Sequence, residues 1–585
     1  MRSNTRVEFG LYDVTARADS SPVCGALQPF CDLKADFMRE TVPAQPKYGT
    51  LEDRQFLMDG SFSLFPDKPA GQFWGLWSSE MSDAQGRFAA PPVLEIHFST
   101  AHSSSGLTLH FYAPTGDWCS KVKIQWYGGN GGLLASAYFE PNAVDYYCVQ
   151  KVENYRRIRI TLLATSRPCR YAKLAGLDYG AQLTLAGAAL VDATLLEECD
   201  PLSAEVSINT LKLTVYNRNG AFGVLSPSSV FSLLQKKQAL RVYADVRETP
   251  AARLSSQSMG TFYLSDWENT SDTLATLSAT DAVGLLNGAP YEGGIYDTTA
   301  GELAADILAG YDYELDDTLA AEPVQGWLPA DTRRSALQQL AFALGALVDC
   351  SRGGVIRIYP APQQASRMIY ARRKLQGNSK VTLRPLITGV AVTAHRYTAG
   401  TDVTELYRGT LDAGVQLVSF SDPVVPGSLT VTGAALTRSG YNSCTLTVDK
   451  PGEVIVTGCK YTDYTTTLRQ AAAKLPPNVQ DNELTVTDAT LVSSDRAAAL
   501  AERILAYYAM RTEHKFRMLG GDERLGERLI VQSFAGQMVR GVLEKMEFDL
   551  TGGFLADVRV VGSALDTSAA AYTGDEIHAG ERSLI

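Results

Sequence analysis

Histidines are the first side chains to examine for chemistry, because imidazole acts as a base and as a metal ligand near neutral pH. The sequence has six, at His97, His102, His110, His395, His514 and His578. His102 and His110 fall in adjoining predicted strands, but no third ligand stands at zinc-like spacing. No HExxH, GxSxG or GxxxxGK[ST] pattern occurs in the sequence. We therefore expect no catalytic residue, no metal site and no cofactor.

Carboxylates offer a second route to catalysis, since glycoside hydrolysis needs only two of them across a cleft. Candidates in the strand-rich region 91–176 are Glu95, Asp117, Glu140 and Asp145. Their spacing also fits solvent-facing strand positions, which is the more common arrangement. We expect these carboxylates to be structural.

Aromatic residues are dense in the same region, and they either stack on sugar rings or fill the space between two sheets. Trp118 follows the turn sequence "PTGD", and Tyr127 precedes "GGNGG". Because both stand beside turns, they are the better candidates for a carbohydrate-binding surface, whereas Trp126 fits the core. The alternative, in which Trp118 and Tyr127 are framework residues too, stays open.

Composition places the chain among folded globular proteins, with 45% hydrophobic and 20% charged residues. A chain of 585 residues is too long for one core and should form several domains. Its net charge of −11 argues against specific nucleic-acid binding, which depends on neutralising phosphates. No apolar stretch reaches the ~20 residues that cross a membrane, and no signal peptide is visible. We expect synthesis in a cytoplasm without a membrane segment.

Most of the chain alternates apolar and polar residues, which predicts a mainly β, multi-domain protein. Six short segments of this kind between residues 93 and 165 predict a β-sandwich. Helical patterns occur at "TDAVGLLNG", "TAGELAADILAGY" and "SSDRAAALAERILAYYAMRT". The predicted domains are an N-terminal arm (1–90), a jelly-roll β-sandwich (91–176), a first β-barrel (177–270), a small α/β insert (271–365), a second β-barrel (366–480), a closing α/β domain (481–565) and a flexible tail (566–585).

The most regular unit is "ADTRRSALQQLAFALGALVDCSRGGVIRIYP", which we call the helix-hairpin unit. Asp331 or Thr332 can cap a helix that Gly345 ends. Gly353 and Gly354 then offer the positive φ that a β-hairpin turn needs. No side chain in the unit is reactive. The helix presents one apolar face, formed by Leu337, Leu340, Ala341 and Leu344.

This unit resembles one in the baseplate hub and tail-tip hub proteins of tailed phages and prophages. In that family it belongs to a small α/β insert between two β-barrel-like domains. "MGTFYLSDWENTSDTLATLSATDAVGLLN" resembles the end of the first barrel. "NELTVTDATLVSSDRAAALAERILAYYAMRT" and "GERLIVQSFAGQMVRGVLEKMEFDLTGGFLADVRVVG" resemble the second barrel and closing domain. The resemblance covers roughly residues 177–562 and rests on pattern and order.

The preceding region resembles the N-terminal half of tail proteins from prophages of Gram-positive hosts. The matching stretches are "LMDGSFSLFPDK", "FWGLWSSEMSDAQGRF" and "VENYRRIRITLLATSRPCRYAKLAGLDYG". Met58 and Gln85 are small departures from that pattern. In those proteins the corresponding stretches precede and close a jelly-roll sandwich.

The resemblance implies a structural, non-enzymatic hub in the virion, at the tail tip or baseplate. Such hubs are usually trimers, and two similar barrels per chain then give a near-six-fold ring beneath a six-fold tube. The implied partners are two further copies of the chain, the tail tube, distal tail or baseplate proteins and the tape measure protein. The ring would gate the tube during infection. The unit would brace the barrels through Leu337, Leu340, Leu344, Gly353 and Gly354.

Two alternatives come from other functional classes. One is a tail-associated receptor protein that binds host cell-wall glycan through Trp118 and Tyr127. The other is a tail-associated cell-wall hydrolase. The hydrolase has less support, because hubs with a lysin carry it after the last hub-like segment, and here about twenty residues follow "LADVRVVG".

Overall fold

The structure is a computed structural model that describes residues 2–29, 48–50, 52, 53, 55, 63, 64, 75–217, 234–247, 255–473, 475–533 and 536–565. The predicted tail, residues 566–585, lies outside the described residues. Within them the chain is mainly β with several sheets and few helices. The predicted fold class is therefore confirmed.

The secondary structure follows the chain in this order. The described helices are α1 (Ala16–Asp19), α2 (Ala282–Asn287), α3 (Ala300–Ile307), α4 (Asp317–Ala320), α5 (Arg333–Leu344) and α6 (Ser494–Ala509). The strands of the first half are β1 (Arg2–Tyr12), β2 (Ser21–Gly25), β3 (Leu27–Pro29), β4 (Tyr48–Gly49), β5 (Ser63–Leu64), β6 (Leu76–Ser78), β7 (Val93–Phe111), β8 (Cys119–Tyr127), β9 (Leu133–Phe139), β10 (Asp145–Thr165), β11 (Lys173–Asp178), β12 (Gly180–Ala186), β13 (Leu190–Glu198), β14 (Thr210–Tyr216), β15 (Ala239–Arg247), β16 (Ser255–Ser271) and β17 (Leu274–Thr280). Those of the second half are β18 (Pro290–Tyr291), β19 (Gly294–Thr299), β20 (Tyr313–Leu315), β21 (Pro323–Leu328), β22 (Asp331–Thr332), β23 (Ala346–Asp349), β24 (Ile356–Pro360), β25 (Ala365–Ile369), β26 (Lys380–Leu383), β27 (Gly389–Leu411), β28 (Gly414–Ser419), β29 (Thr430–Thr432), β30 (Ala435–Ser439), β31 (Ser443–Val448), β32 (Gly452–Ala471), β33 (Glu483–Val486), β34 (Thr512–Leu519), β35 (Arg528–Gln532), β36 (Met538–Asp549) and β37 (Leu555–Ala564).

A 13-stranded sheet, which we call the large sheet, draws strands from both ends of the chain. Its main order is β12-β1-β15-β16-β17-β14-β13-β36-β37-β34-β26, with β35 beside β36 and β25 beside β35. The seam between its halves is the antiparallel pairing of β13 with β36, from Thr194 opposite Asp549 to Glu198 opposite Lys545. One hydrophobic core contains side chains from both halves, among them Val7, Leu240, Phe516 and Phe548. Strands from the predicted regions 177–270 and 481–565 thus share one sheet, while the division into domains stays a prediction.

An eight-stranded sheet covers the region predicted as a β-sandwich. Its order is β3-β6-β11-β7-β10-β8-β9, with β2 also paired to β7. Both ends of β7 contribute to the same core, through Leu94 and Ile96 at one end and Leu107 and Leu109 at the other. The two halves of this sheet therefore pack on each other.

The prediction of six strands between residues 93 and 165 was wrong. The structure has four, because β7 and β10 each join two predicted strands into one. Register shifts between Val149 and Arg157 bend the paired strands without breaking them. Such bulges let a strand turn a corner while it keeps its partner. His102 and His110 consequently lie on one strand rather than on adjoining strands.

The chain passes from this sheet to the large sheet at Gly180, the first residue of β12. Gly180 has a φ of 149°, and a Cβ there would lie 2.0 Å from the carbonyl oxygen of Leu11. Only glycine lets the two backbones approach so closely.

Four of the six described helices, α2 to α5, lie between β17 and β23. Their apolar faces form a second core with α6 and the start of β27, including Leu303, Leu337, Val390 and Ile504. Beyond this core, β27 and β32 form a long antiparallel ribbon. A separate small core, with Leu446 and Val456, lies between the sheets that contain β31 and β32.

Candidate functional site

Helix α5 of the helix-hairpin unit begins and ends as its sequence predicts. The Thr332 hydroxyl accepts a hydrogen bond from the Ser335 amide at 3.2 Å, so Thr332 rather than Asp331 is the cap. Gly345 ends the helix in the left-handed conformation, with a φ of 63°. Its amide donates to the carbonyls of Ala341 and Phe342. The cap and the stop together set the length of the helix.

The apolar face of α5 is buried. Leu337, Leu340 and Ala341 are 0% exposed, and the half-buried Leu344 packs against the same core. This core combines side chains of α2, α3 and α6 with those of β27. Beyond the insert, Gln339 of α5 donates to the Asp488 carbonyl at 3.2 Å, and Arg496 of α6 donates to the Ala343 carbonyl at 3.4 Å. The helix is therefore attached both to the insert and to the segment that contains α6.

The hairpin turn differs from its prediction. Strand β23 ends at Asp349 and β24 begins at Ile356, and the positive φ, 62°, belongs to Arg352. Gly353 and Gly354 do not have positive φ. The turn packs against β16, where the Thr261 amide donates to the Gly353 carbonyl at 2.7 Å. A Cβ on Gly354 would lie 3.4 Å from that of Thr261, an ordinary contact distance, so this approach does not require glycine.

The side chain of Arg352 extends from the turn into the large sheet. Its Nε lies 2.8 Å from a carboxylate oxygen of Glu197, and both side chains are 1% exposed. The guanidinium lies over the Phe548 ring, 4.6 Å from its centroid. Glu197 belongs to β13 and Phe548 to β36, so Arg352 contacts both strands of the seam.

Burial of the Arg352–Glu197 pair changes the pKa of its carboxyl group. Desolvation raises the pKa of Glu197 to about 7, and the charge of Arg352 acts in the opposite direction. Two buried opposite charges cost much free energy to dehydrate, but removing only one leaves the other without compensation. The pair therefore opposes withdrawal of the turn from the sheet.

Further hydrogen bonds hold the unit to the segment that leaves β13. The Ser203 hydroxyl donates to the Ala346 carbonyl at 2.7 Å, and the Gln338 amide donates to the Ser203 carbonyl at 3.1 Å. Arg334 donates to the Val206 carbonyl at 2.7 Å. Helix and hairpin are thus attached independently to the same stretch of chain.

Trp118 and Tyr127, the predicted carbohydrate-binding pair, are not brought together. Trp118 directly precedes β8, whereas Tyr127 is its last residue. At 3.3 Å per residue this places their Cα atoms roughly 30 Å apart. Trp118 is half-buried and packs against the sandwich core. Tyr127 is half-buried beneath the guanidinium of Arg157, which lies 4.0 Å from its ring centroid.

Two histidines lie in a polar network, the junction network, where the sandwich meets the N-terminal segment. His102 lies between Asp13, at 2.8 Å, and Asp19, at 2.9 Å. His110 lies between Asp145, at 2.7 Å, and Asp178, at 2.9 Å.

The network ties α1 to the sandwich. Arg17 of α1 forms a further ion pair with Asp178 of β11. Burial lowers the pKa of His110, but hydrogen bonds to Asp145 and Asp178, together with their charges, raise it to about 9. His110 is therefore a cation between two carboxylates at neutral pH.

Two of the other candidate carboxylates, Asp117 and Glu95, lie beside cations, whereas Glu140 follows the end of β9 and takes part in no ion pair among the described residues. Asp117 is 4% exposed, with Arg170 at 3.8 Å and Lys173 at 3.9 Å, and Glu95 lies 3.6 Å from Arg159. Across the described residues, no group of three His, Cys, Asp or Glu side chains could hold a metal ion. No helix in the described part of the chain is long and apolar enough to span a membrane.

Sequence reasoning missed Arg352 and Glu197. Arg352 looks like an ordinary turn charge among the small and polar residues of "CSRGG", and Glu197 is followed directly by a second glutamate. A weak signal was present at Glu197 in "VDATLLEECD", where it continues the alternating positions of Ala193 and Leu195, which are buried. Its partner comes from 155 residues further along the chain, and no local pattern connects the two.

Replacing one member of the buried pair should destabilise the protein more than replacing both. We expect Arg352→Met to lower the free energy of unfolding by about 3–5 kcal/mol, because Glu197 is left buried and uncompensated. The double variant Arg352→Met with Glu197→Leu should lower the free energy of unfolding by less than the single variant Arg352→Met does. Denaturant unfolding of all variants provides the measurement. The control is Arg438→Met, since Arg438 and Glu292 are 66% and 72% exposed and should contribute under about 1 kcal/mol. Equal losses for Arg352→Met and the control would contradict the role of the pair.

Protonation of His110 should make stability depend on pH. Because its folded-state pKa is raised from 6.5 to about 9, its contribution is complete below pH 6.5 and is lost as the pH rises through 9. Between pH 6.5 and pH 9, we expect the free energy of unfolding of the wild-type protein to fall by about 1–3 kcal/mol more than that of His110→Gln. Thermal or denaturant unfolding at several pH values gives the difference, in which titrations common to both proteins cancel. Parallel pH profiles for the two proteins would refute the assignment.

Comparisons with known proteins give loose likenesses. No protein-family model matches the chain, and no curated protein matches it. Among solved structures, it is similar to the 43 kDa tail protein of prophage MuSo2 from Shewanella oneidensis, with a TM-score of 0.38 and 12% identity, covering 65% of this chain and 96% of that one. It is also similar to prophage tail protein gp18 from Listeria monocytogenes EGD-e, with a TM-score of 0.37 and 9% identity, covering 66% and 92%.

A third likeness is to the E. coli c3393 protein, a type VI secretion system component described as structurally similar to the T4 tail proteins gp27 and gp5. Its TM-score is 0.31 at 9% identity, covering 64% of this chain and 74% of that one. These neighbours are phage tail proteins or resemble them. Since every TM-score is below 0.5, the overlaps do not establish a family for this chain.

Proposed function

We propose that this chain is a structural protein of a phage tail, a hub at the tail tip or baseplate. The observation that carries the proposal is the attachment of the helix-hairpin unit. Its helix is buried in the core of the insert and is hydrogen-bonded to Asp488 and to Arg496 of α6, and its turn is buried in the seam of the large sheet. A unit that is attached at both ends fixes the placement of one strand-rich region relative to the other. This role requires no reactive group.

The resemblance to phage hub proteins described above implies how copies of this chain would assemble. Three chains, each with two strand-rich regions of similar kind, would form a ring of six similar modules beneath a six-fold tube. Closing such a ring demands a constant angle between the modules of each chain. A buried helix and a buried ion pair meet this demand, because close-packed interiors shift between discrete arrangements rather than deform continuously.

The partners follow from this place in the particle. The tail tube would lie above the ring, the distal tail or baseplate proteins below, and the tape measure protein at the lumen. Gating would be a change in the ring when the tip meets a cell. The protein would be part of the virion after assembly in the host cytoplasm.

Oligomeric state is the direct test of this function. We expect light scattering on the purified chain, alone or with tail-tube protein, to give three times the 63.3 kDa of one chain. Negative-stain class averages of the same peak should show a channel and a near-six-fold top view. A compact monomer without any ring, even in the presence of tail-tube protein, would contradict the hub and favour a free-standing binding protein.

A charge on the buried face of α5 should prevent assembly. Leu340→Asp places a carboxylate where Leu340 is 0% exposed, at a cost of several kcal/mol, on the order of the largest single-residue effects. Fewer rings should form in negative stain, and near-UV circular dichroism should weaken. Val381→Asp is the matched control, because Val381 is 55% exposed. Normal particles from Leu340→Asp would show that the brace is not needed.

A further inference from the structure

Strand β8 has one buried face and one solvent face. Val122, Ile124 and Trp126 are 0% exposed and belong to the sandwich core. Successive side chains of a strand point to opposite faces, so Lys121, Lys123 and Tyr127 lie on the outer side. We call the outer surface formed with the neighbouring strands β9 and β10 the cationic face.

Pairing with the neighbouring strands completes this face. Tyr138 of β9 stands opposite Lys123, and Arg157 of β10 stands opposite Tyr127. The ammonium groups of Lys121 and Lys123 lie 5.7 and 5.5 Å from the Tyr138 ring centroid. The exposed Tyr138 and the half-buried Tyr127 are thus each held beside at least one cation, in the geometry of cation–π contacts.

These cations have no carboxylate partner in the part of the chain that the structure describes. Among the described residues, no carboxylate forms an ion pair with Lys121, Lys123 or Arg157, whereas the neighbouring Arg159 is paired with Glu95 at 3.6 Å. The chain as a whole carries a net charge of −11. The positive charge of this face therefore contrasts with the negative net charge of the chain. Such a face is complementary to an anionic ligand.

The aromatic side chains of this face further restrict the kind of anion that would fit it. Tyr138 is 61% exposed, which is unusual for a large aromatic side chain and leaves its apolar surface open to a partner. Tyr127 and Tyr138 are separated by four residues and one strand, so their Cα atoms are roughly 14 Å apart. This spacing suits a polymer whose repeating rings contact both tyrosines while its charged groups meet the cations between them.

We propose that the cationic face binds an acidic polysaccharide, one whose repeating units carry carboxylate or phosphate groups. The assignment is independent of the hub proposal, since it uses only residues of the sandwich. Nucleic acid is the less suitable polyanion, because its binding relies on many phosphate contacts and this face offers three free cations. The proposal also replaces Trp118 by Tyr138 as the aromatic partner of Tyr127.

Binding of defined polymers to the full-length protein tests the proposal. We would immobilise the protein and measure the binding of polygalacturonate, dextran phosphate, neutral dextran and a thirty-nucleotide oligo-dT at low and high salt. Binding of either acidic polymer, weakened by salt and absent with dextran, is the expected result, and the two acidic polymers separate carboxylate from phosphate recognition. Failure of both acidic polymers to bind, equal binding of dextran, or tighter binding of oligo-dT would each overturn it.

Surface variants then locate the binding. Tyr138→Ala should weaken binding by roughly 3- to 10-fold, and Lys123→Gln with Arg157→Gln should remove most of its salt dependence. The matched controls are Tyr464→Ala, because Tyr464 is 60% exposed on another sheet, and Lys450→Gln, an exposed lysine far along the chain. All changes are on the surface, so circular dichroism should remain that of the wild type. Binding unchanged in the face variants, or reduced equally in the controls, would show that the cationic face is not the site.

Discussion

The arrangement of the whole chain depends on one buried contact, the ion pair between Arg352 and Glu197. Arg352 belongs to a hairpin turn of the insert, while Glu197 lies on β13, where the N-terminal and C-terminal halves of the large sheet join. With both side chains 1% exposed, withdrawal of the turn would leave a charge in an apolar core. The pair therefore fixes the insert relative to the seam. Through α5, the same unit is also hydrogen-bonded to Asp488 and to Arg496 of α6.

A comparable principle operates at the other end of the molecule. The sandwich meets the N-terminal segment at two histidines, each held between two carboxylates, and at the close approach of Gly180 to Leu11. Polar networks of this kind specify a single arrangement when their members are satisfied. Apolar packing supplies most of the free energy of folding in each core. The polar contacts decide how the units are placed relative to each other.

Local elements were predictable because their determinants are local. The cap at Thr332, the stop at Gly345, and helices α2 and α3 follow from capping residues and apolar periodicity within a few turns, while α6, which has no side-chain cap, follows from its apolar periodicity. Alternation along "KVKIQWY" also separates the core residues of β8 from those of the cationic face. The corner-turning strands were not predictable, since the polar stretch at 99–105 reads as a turn yet stays paired through bulges. The Arg352–Glu197 pair joins residues distant in sequence, and its significance appears only when the seam is known.

Hydrogen exchange with mass spectrometry tests the central claim, that the turn and the seam form one cooperative unit. Peptides from β13 and β36 should share the protection of peptides from β23 and β24, within about tenfold in exchange rate. Arg352→Met should lower the protection of both sets together. A hairpin that exchanges orders of magnitude faster than the seam in the wild-type protein would contradict the account, because the insert would then open without disturbing the sheet.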